Sequence, residues 1–265
     1  RVLKLGIPVV SVGSLTVDQR IPRVKLNDHE NTAILLRHLL AGGVRRFAYC
    51  SFYPNLKVED RGQAFIENVR QAGYSCECFN QAYTVKPGHT WSQRQRQLTA
   101  WLKALPKPVG ILCYTPDVAC QVVAACNRIG VRVPDEVSIV ASDDDPMKCQ
   151  LTRPTITAAE VPAERIGYEA AALLERLIRG EQPPSKPVLI SPSGVIAVRE
   201  STSISGSADR EVQQAAELIR KAAAEGLSVT ELAEQMKVSP RWLQRHFKRV
   251  LEQHRGRWCR MRALN

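Results

Sequence analysis

Over roughly its first two hundred residues the chain alternates short apolar runs with stretches of helical periodicity, which restricts it to an α/β architecture. A short, continuously apolar run suits a strand buried on both faces. Strands separated by an amphipathic helix pair in parallel, because the helix carries the chain back to the same end of the sheet. The runs predict strands at Pro8 to Val12, Arg46 to Ser51, Ser75 to Asn80, Val109 to Tyr114 and Val137 to Ala141. Between them the spacing predicts helices over Asp28 to Leu40, Glu59 to Ala72, Trp91 to Leu105 and Asp117 to Ile129. Gly42-Gly43, Gly73 and Gly130 fall just past helix ends, where a left-handed residue is wanted. After Asp143-Asp144-Asp145-Pro146 the pattern predicts a Pro- and Thr-rich crossing, a helix over Ala163 to Arg179, and one or two last strands between Val188 and Arg199. The polar stretch from Ser201 to Asp209 then divides the chain: a domain over 1–200, a linker over 201–208 and a small all-α domain over 209–265.

Within that last domain, Leu227 to Lys248 reads as two short helices joined by a tight turn. Ser228 with Glu231 three residues on forms a capping box, and Leu232, Ala233 and Met236 fall on one side of the first helix. Ser239 caps the second, with Pro240 in the first helical position, where its missing N–H costs nothing. Leu243 and Phe247, four apart, point inward, while Arg241, Gln244, Arg245 and Lys248 line the opposite face. Arginine can grip guanine O6 and N7, glutamine an adenine edge and lysine a phosphate. Ser239, Arg241, Trp242, Gln244, Arg245 and Lys248 are therefore the candidate DNA surface. The alternative is an ordinary solvated pair of amphipathic helices.

Charge favours the first reading. The 265 residues carry 37 Lys and Arg against 26 Asp and Glu, a formal +11. From Ser239 onward eight Arg and Lys face only Glu252, so seven of the eleven excess charges sit in this tail, which suits a polyanion. The eight cysteines lie mostly inside apolar runs such as GILCY and VVAAC and read as small buried hydrophobes in a reducing compartment. Cys76 and Cys78 lack a second Cys or His pair at metal spacing, so no metal or cofactor is expected. With no apolar stretch near the length of a membrane span and no signal peptide, the expected location is the cytoplasm. A nucleophile elbow, a phosphate loop and an HExxH helix are all missing, so an enzyme is not expected.

Leu232-Ala233 with Ser239, Leu243, Phe247 and Lys248 resembles the first helix-turn-helix of the AraC family of transcription regulators, and Asp209 to Ala224 fits that family's opening helix. The resemblance implies a second helix-turn-helix, which the tail EQHRGRWCRMRALN does not match. The larger part resembles the ligand-binding core of the lac repressor/GalR family, whose fold is shared with periplasmic sugar-binding proteins. The matching stretches are Gly6-Ile7-Pro8-Val9-Val10, His38-Leu39-Leu40 with Gly43, Arg46-Phe47-Ala48, Arg61-Gly62-Gln63-Ala64-Phe65, Ile129 to Pro134, and Val137 to Val140 leading to Asp143-Asp144. A core of this type ahead of an AraC-type domain is the arrangement of xylose-responsive activators. The resemblance therefore implies doubly wound parallel sheets, a sugar effector such as the pentose xylose, promoter or operator DNA as partner, and a homodimer. It also implies further sensor strands before Arg1, where the chain opens on a strand without an initiator Met.

The effector-site candidates follow from the same resemblance and from the chemistry of a neutral polyol, which needs fixed donors and acceptors at the carboxyl ends of strands. Asp143 matches the family's ligand-binding aspartate and can accept two hydroxyl protons. Arg61 matches the arginine of an R-x-x-G-F motif in which Ala64 replaces Gly, and its alternative is a surface ion pair with Glu59 or Asp60. Thr115 and Asp117 occupy the family's Asn/Thr-Asp region, with Asp117 alternatively a helix N-cap. Asp144 and Asp145 read equally as a solvated turn, and Trp91 and Trp101 as core packing rather than sugar stacking. Two positions depart from the family pattern: Asn27-Asp28 stands in place of Asp-Asn, and Gly13 in place of an acidic residue. A sugar-binding transport protein with an incidental basic tail is the rival function.

Overall fold

The apolar runs become the strands of two separate sheets. The computed structural model describes residues 6–13, 18, 20–52, 60–80, 91–203, 234 and 239–241. The strands are β1 (Ser11–Val12), β2 (Arg23–Leu26), β3 (Phe47–Ser51), β4 (Cys76–Asn80), β5 (Val109–Cys113), β6 (Val137–Ala141), β7 (Thr157–Ala159), β8 (Val188–Ile190) and β9 (Ile196–Ala197). The helices are α1 (Asp28–Ala41), α2 (Asp60–Gln71), α3 (Trp91–Ala104), α4 (Pro116–Ile129), α5 (Pro146–Leu151) and α6 (Ala163–Ile178).

The larger sheet has the order β4-β3-β5-β6-β7-β9, parallel except for the antiparallel pair β7 and β9. From β3 the chain winds outward to β4, then returns past β3 to β5 and continues through β6 to β7. Right-handed crossovers place α2 on one face and α3 and α4 on the other. The packing agrees: α2 lies against α1, and α3 against α4. Asn68 of α2 seals the first pair by donating to the His29 carbonyl and the Thr32 hydroxyl, both at 2.9 Å. Strands β3, β5 and β6 are wholly buried, as continuous apolar runs require.

The smaller sheet, β1-β2-β8, is parallel and carries its own core, in which Val24, Leu26 and Ile190 meet Ile166, Ala170 and Leu173 of α6. Three segments pass between the sheets: β2 into α1, β7 into α6, and β8 into β9. They are tied to one another, since Asn27 N donates to the Ile190 carbonyl at 2.8 Å and Glu160 N to the Val195 carbonyl at 3.0 Å.

Three elements escape the sequence pattern. β2 is four residues with Arg23 and Lys25 among them, β7 is three residues, and α5 is six. Each is too short to show a period and is specified by its partner or by its cap, here Asp145, whose side chain accepts from Lys148 N at 3.2 Å. The predicted strand from Pro8 shrinks to Ser11–Val12, because only that part pairs with β2. At the end of α1 the left-handed residue is Gly43 (φ +90°), while Gly42 remains right-handed and closes the last turn on the His38 carbonyl.

The chain divides into two compact units, 1–203 and 204–265. The first runs past the expected linker start at Ser201. Ser201 is fully buried, its carbonyl accepts from Ile139 N at 3.0 Å, and its hydroxyl donates to the Ile139 carbonyl at 2.6 Å. Ser201 and Thr202 are thus bound to β6 and β7, and Ser203 to the Arg199 carbonyl. Of the candidate DNA surface, Ser239 lies just before helical backbone and Arg241 within it, both exposed. Trp242, Gln244, Arg245 and Lys248 lie outside the described residues, as does most of the predicted all-α domain. Cys50, Cys113, Cys126 and Cys149 are buried, and burial pushes the Cys126 and Cys149 thiols up to about 12, so they remain neutral core groups. No described helix is long and apolar enough to cross a membrane.

Candidate functional site

The winding reverses between β3 and β5, and in open α/β sheets the carboxyl ends of the strands beside such a reversal are the usual ligand position. Four segments deliver side chains there. Asp28 is the first residue of α1, placed directly after the crossing from β2 because Asn27 caps the helix by accepting from Glu30 N at 3.3 Å. Arg61 is the second residue of α2. Tyr114 follows β5, and Ser142 with Asp143 follows β6.

Arg61 joins all four. Its Nε donates to Asp28 Oδ1 at 2.9 Å, and its Nη1 to the Tyr114 carbonyl at 2.8 Å, Ser142 Oγ at 2.6 Å and Asp143 Oδ1 at 3.1 Å. The guanidinium carbon lies 5.0 Å from the centre of the Tyr114 ring, in cation–π range. Ser142 donates to Asp143 Oδ1 at 2.6 Å or to the Tyr114 carbonyl, and its own carbonyl accepts from Asn31 Nδ2 at 2.7 Å. Lys25 of β2 adds a second cation, bonded to Asp60 and 3.4 Å from Asp28 Oδ2.

Burial orders these groups. The side chains of Asp28, Lys25 and Arg61 are 3%, 8% and 11% exposed, whereas Asp143 is 34% and Asp60 45% exposed. Burial works against the Arg61 charge, but Asp28 and Asp143 outweigh it and hold the guanidinium above its usual pKa. Two cations meet three carboxylates, so the cluster keeps one negative charge in excess, and an accessible acceptor at Asp143 sits beside a locked donor. Such a site suits a neutral molecule rich in hydroxyls better than an anion.

Among the sequence candidates, the structure brings Arg61 and Asp143 into contact. Thr115 adjoins them through Tyr114, but its hydroxyl accepts from Val118 N at 3.4 Å as the N-cap of α4. The cap is therefore Thr115 and not Asp117. Asp117 pairs with Lys148 rather than with the Arg61 cluster, its carboxylate 2.8 Å from the ammonium, which also reaches Asp145 at 3.4 Å. Nor is Arg61 a surface ion pair with Asp60, which pairs with Lys25 instead. Asp144 is no solvated turn: Arg199 grips it with two parallel bonds of 2.9 and 2.8 Å. Trp101 packs on Phe79 with ring centres 5.1 Å apart, while Trp91 is exposed. Sequence reasoning missed Lys25 and Ser142 and treated Asp28 only as a departure from pattern. Lys25 and Asp28 straddle a strand–helix boundary, so their spacing carries no signal until β2 is known. Cavities of about 430 and 450 Å³ lie elsewhere, between α3 and α4 beside Trp91, and at His29, Arg37 and Pro192.

The profile of the Periplasmic binding protein-like domain matches residues 36–202, which hold the larger sheet, α6, β8 and every Arg61 partner except Asp28. The chain belongs to that family. Periplasmic binding protein-like relatives include the "Xylose operon regulatory protein" of Escherichia coli K12, 28% identical over 251 residues, covering 92% of this chain and 63% of the relative. The protein of the same name from Haemophilus influenzae is 28% identical over 249 residues, covering 91% and 64%. The solved structure of a "xylose-binding transcription activator" superposes with a TM-score of 0.64 at 25% identity, covering 94% of this chain and 66% of that one. The chain thus spans somewhat under two thirds of the length of these curated relatives. The relatives are transcription regulators and not enzymes.

Proposed function

We propose that the protein of which this chain is part is a cytoplasmic, homodimeric transcription regulator whose binding to promoter or operator DNA is controlled by a small sugar, a pentose such as xylose. The observation that carries the reading is the Arg61 cluster: one guanidinium, at the switch point of the larger sheet, holds the first residue after a crossing between sheets and an accessible carboxylate. The relatives' names supply the chemical class of the effector. In this reading Asp143 accepts hydroxyl protons, Arg61 donates to ring and hydroxyl oxygens, and Thr115 and Asp117 lie on the rim. The sugar closes the gap between the two sheets about their three crossings. Closure alters DNA binding only as far as the sugar binds the closed form more tightly than the open one.

An AraC-type helix-turn-helix within 209–265 supplies the DNA contacts, with Ser239, Arg241, Trp242, Gln244, Arg245 and Lys248 on the outer face. Arg245→Ala then costs about 1–3 kcal/mol and relaxes one base preference, whereas Lys248→Ala weakens binding uniformly and lowers its salt dependence. The test is a fluorescence titration of the full-length protein with xylose, with and without promoter DNA. Xylose binding that shifts DNA affinity supports the proposal. Equal DNA affinity at saturating sugar removes the regulatory claim, and sugar binding with no salt-sensitive DNA binding favours a transport role.

A further inference from the structure

The loop after β6 carries two neighbouring carboxylates that engage different parts of the molecule. Asp143 faces Arg61 at 3.1 Å, in the candidate effector site. Asp144 faces Arg199, which lies two residues beyond β9 and four before the first unit ends at Ser203. The Asp144–Arg199 pair is fork to fork, Nη1 to Oδ1 at 2.9 Å and Nη2 to Oδ2 at 2.8 Å, with side chains only 10% and 14% exposed. Arg199 Nη1 also donates to the Ile156 carbonyl at 2.7 Å.

The segment that follows Arg199 is tied down equally closely. Arg199 N donates to the Thr157 hydroxyl at 2.8 Å, and Ser203 Oγ to the Arg199 carbonyl at 2.9 Å. The Thr202 hydroxyl meets both Thr157 Oγ1 and His38 Nε2 at 2.8 Å. His38 stands in the last turn of α1, the helix whose first residue, Asp28, holds the other side of Arg61. The exit segment is therefore fastened at two points to elements that also hold Arg61: the β6 loop and α1.

We propose that Asp144 and Arg199 are the coupling pair through which the effector site acts on the segment leading to residues 204–265. The proposal rests on the function proposed above. Asp143 and Asp144 share a planar peptide bond, so a sugar that draws the backbone of the β6 loop with it as it engages Asp143 also turns the peptide carrying Asp144. A bidentate arginine–carboxylate pair is sensitive to rotation as well as distance, because turning either plane breaks one of two parallel bonds. A lysine would follow the movement as a point charge. A planar guanidinium braced on the Ile156 carbonyl is instead dragged or released, and with it the backbone up to Ser203. In this scheme Arg199 and Asp144 position the exit segment and do not touch the sugar.

The test uses the full-length protein, D-xylose and promoter DNA from the neighbourhood of its own gene. Asp144→Asn keeps shape and loses charge, while Arg199→Lys keeps charge and loses the fork. Xylose affinity should stay within about threefold of the parent in both. The ratio of DNA affinities with and without xylose should fall at least about fivefold, within the usual range of allosteric coupling. If Asp144→Asn does not fold by circular dichroism, Arg199→Lys carries the same comparison. A merely structural pair would lower the melting temperature and leave that ratio at the parent's value, which would overturn the proposal. A parent protein whose DNA binding ignores xylose instead removes the underlying function, and the two failures are distinguished by the parent alone.

Discussion

Arg61 Nε stands 2.9 Å from Oδ1 of Asp28, a carboxylate only 3% exposed, and this contact fastens the start of α2 to the first residue of α1. Because α1 begins where the chain leaves the smaller sheet, the pair joins the start of α2 to the crossing itself. Removing one partner of a buried ion pair leaves the other charge desolvated and unmatched. Arg61→Ala should therefore destabilise the chain by about 3 kcal/mol, toward the lower end of what such losses cost because Lys25 remains 3.4 Å from Asp28. Arg61→Lys, which restores a charge, should cost less. Urea denaturation of both variants checks the order, and equal stability of parent and Arg61→Ala would show that the pair is not load-sharing with the fold.

Gly110 of β5 faces the underside of α1, where an added Cβ would lie 3.0 Å from Val44 Cγ1 and 3.1 Å from Leu39 Cδ1. Val44 and Leu39 are themselves buried, so they have little room to retreat. Gly110→Ala should cost about 1–3 kcal/mol through overpacking. Thermal unfolding measures it, and a neutral or stabilising result would mean that the α1–β5 contact relaxes freely.

His38 is held below its ordinary pKa of 6.5 by burial. The unfolded chain takes up that proton first as pH falls, so the stability at stake is complete above about 6.5 and is lost as pH drops through that value toward the lower folded-state pKa. His38→Gln should flatten this acid limb while leaving stability near pH 8 little changed. Melting temperatures of parent and variant from pH 8 to pH 5 decide it, and parallel curves would place the acid sensitivity elsewhere.

Thr115 caps α4 through a hydroxyl that Thr115→Ser retains and Thr115→Ala removes. The alanine variant should lose about 1 kcal/mol of stability and the serine variant almost none. A xylose titration of the two adds a second reading: an affinity loss in the alanine variant that the serine variant does not share places this hydroxyl in the effector site as well.

How far sequence reaches can be traced through particular elements. β3, β5 and β6 are legible because burial on both faces demands unbroken apolar runs, α1, α2 and α4 because each has a buried face and a cap or glycine at an end, and α3 through its buried face alone. β7 is not legible: Thr157 to Ala159 has no strand signal of its own and extends because β6 and β9 pair with it on either side. Arg61 and Asp143 stand out through a motif and a strand end. Lys25 and Ser142, which complete their surroundings, belong to no motif.

Local order was determined by the chain alone, because apolar period, capping side chains and glycine placement act within a few residues of one another. The tertiary structure decided which charges are buried together. Asp28, Arg61 and Asp143 are separated by 33 and 82 residues, and Asp144 and Arg199 by 55. Only the winding of the larger sheet sets their distances, and in a buried environment distance and desolvation, not residue type, determine whether a carboxylate is a ligand, a latch or a cap.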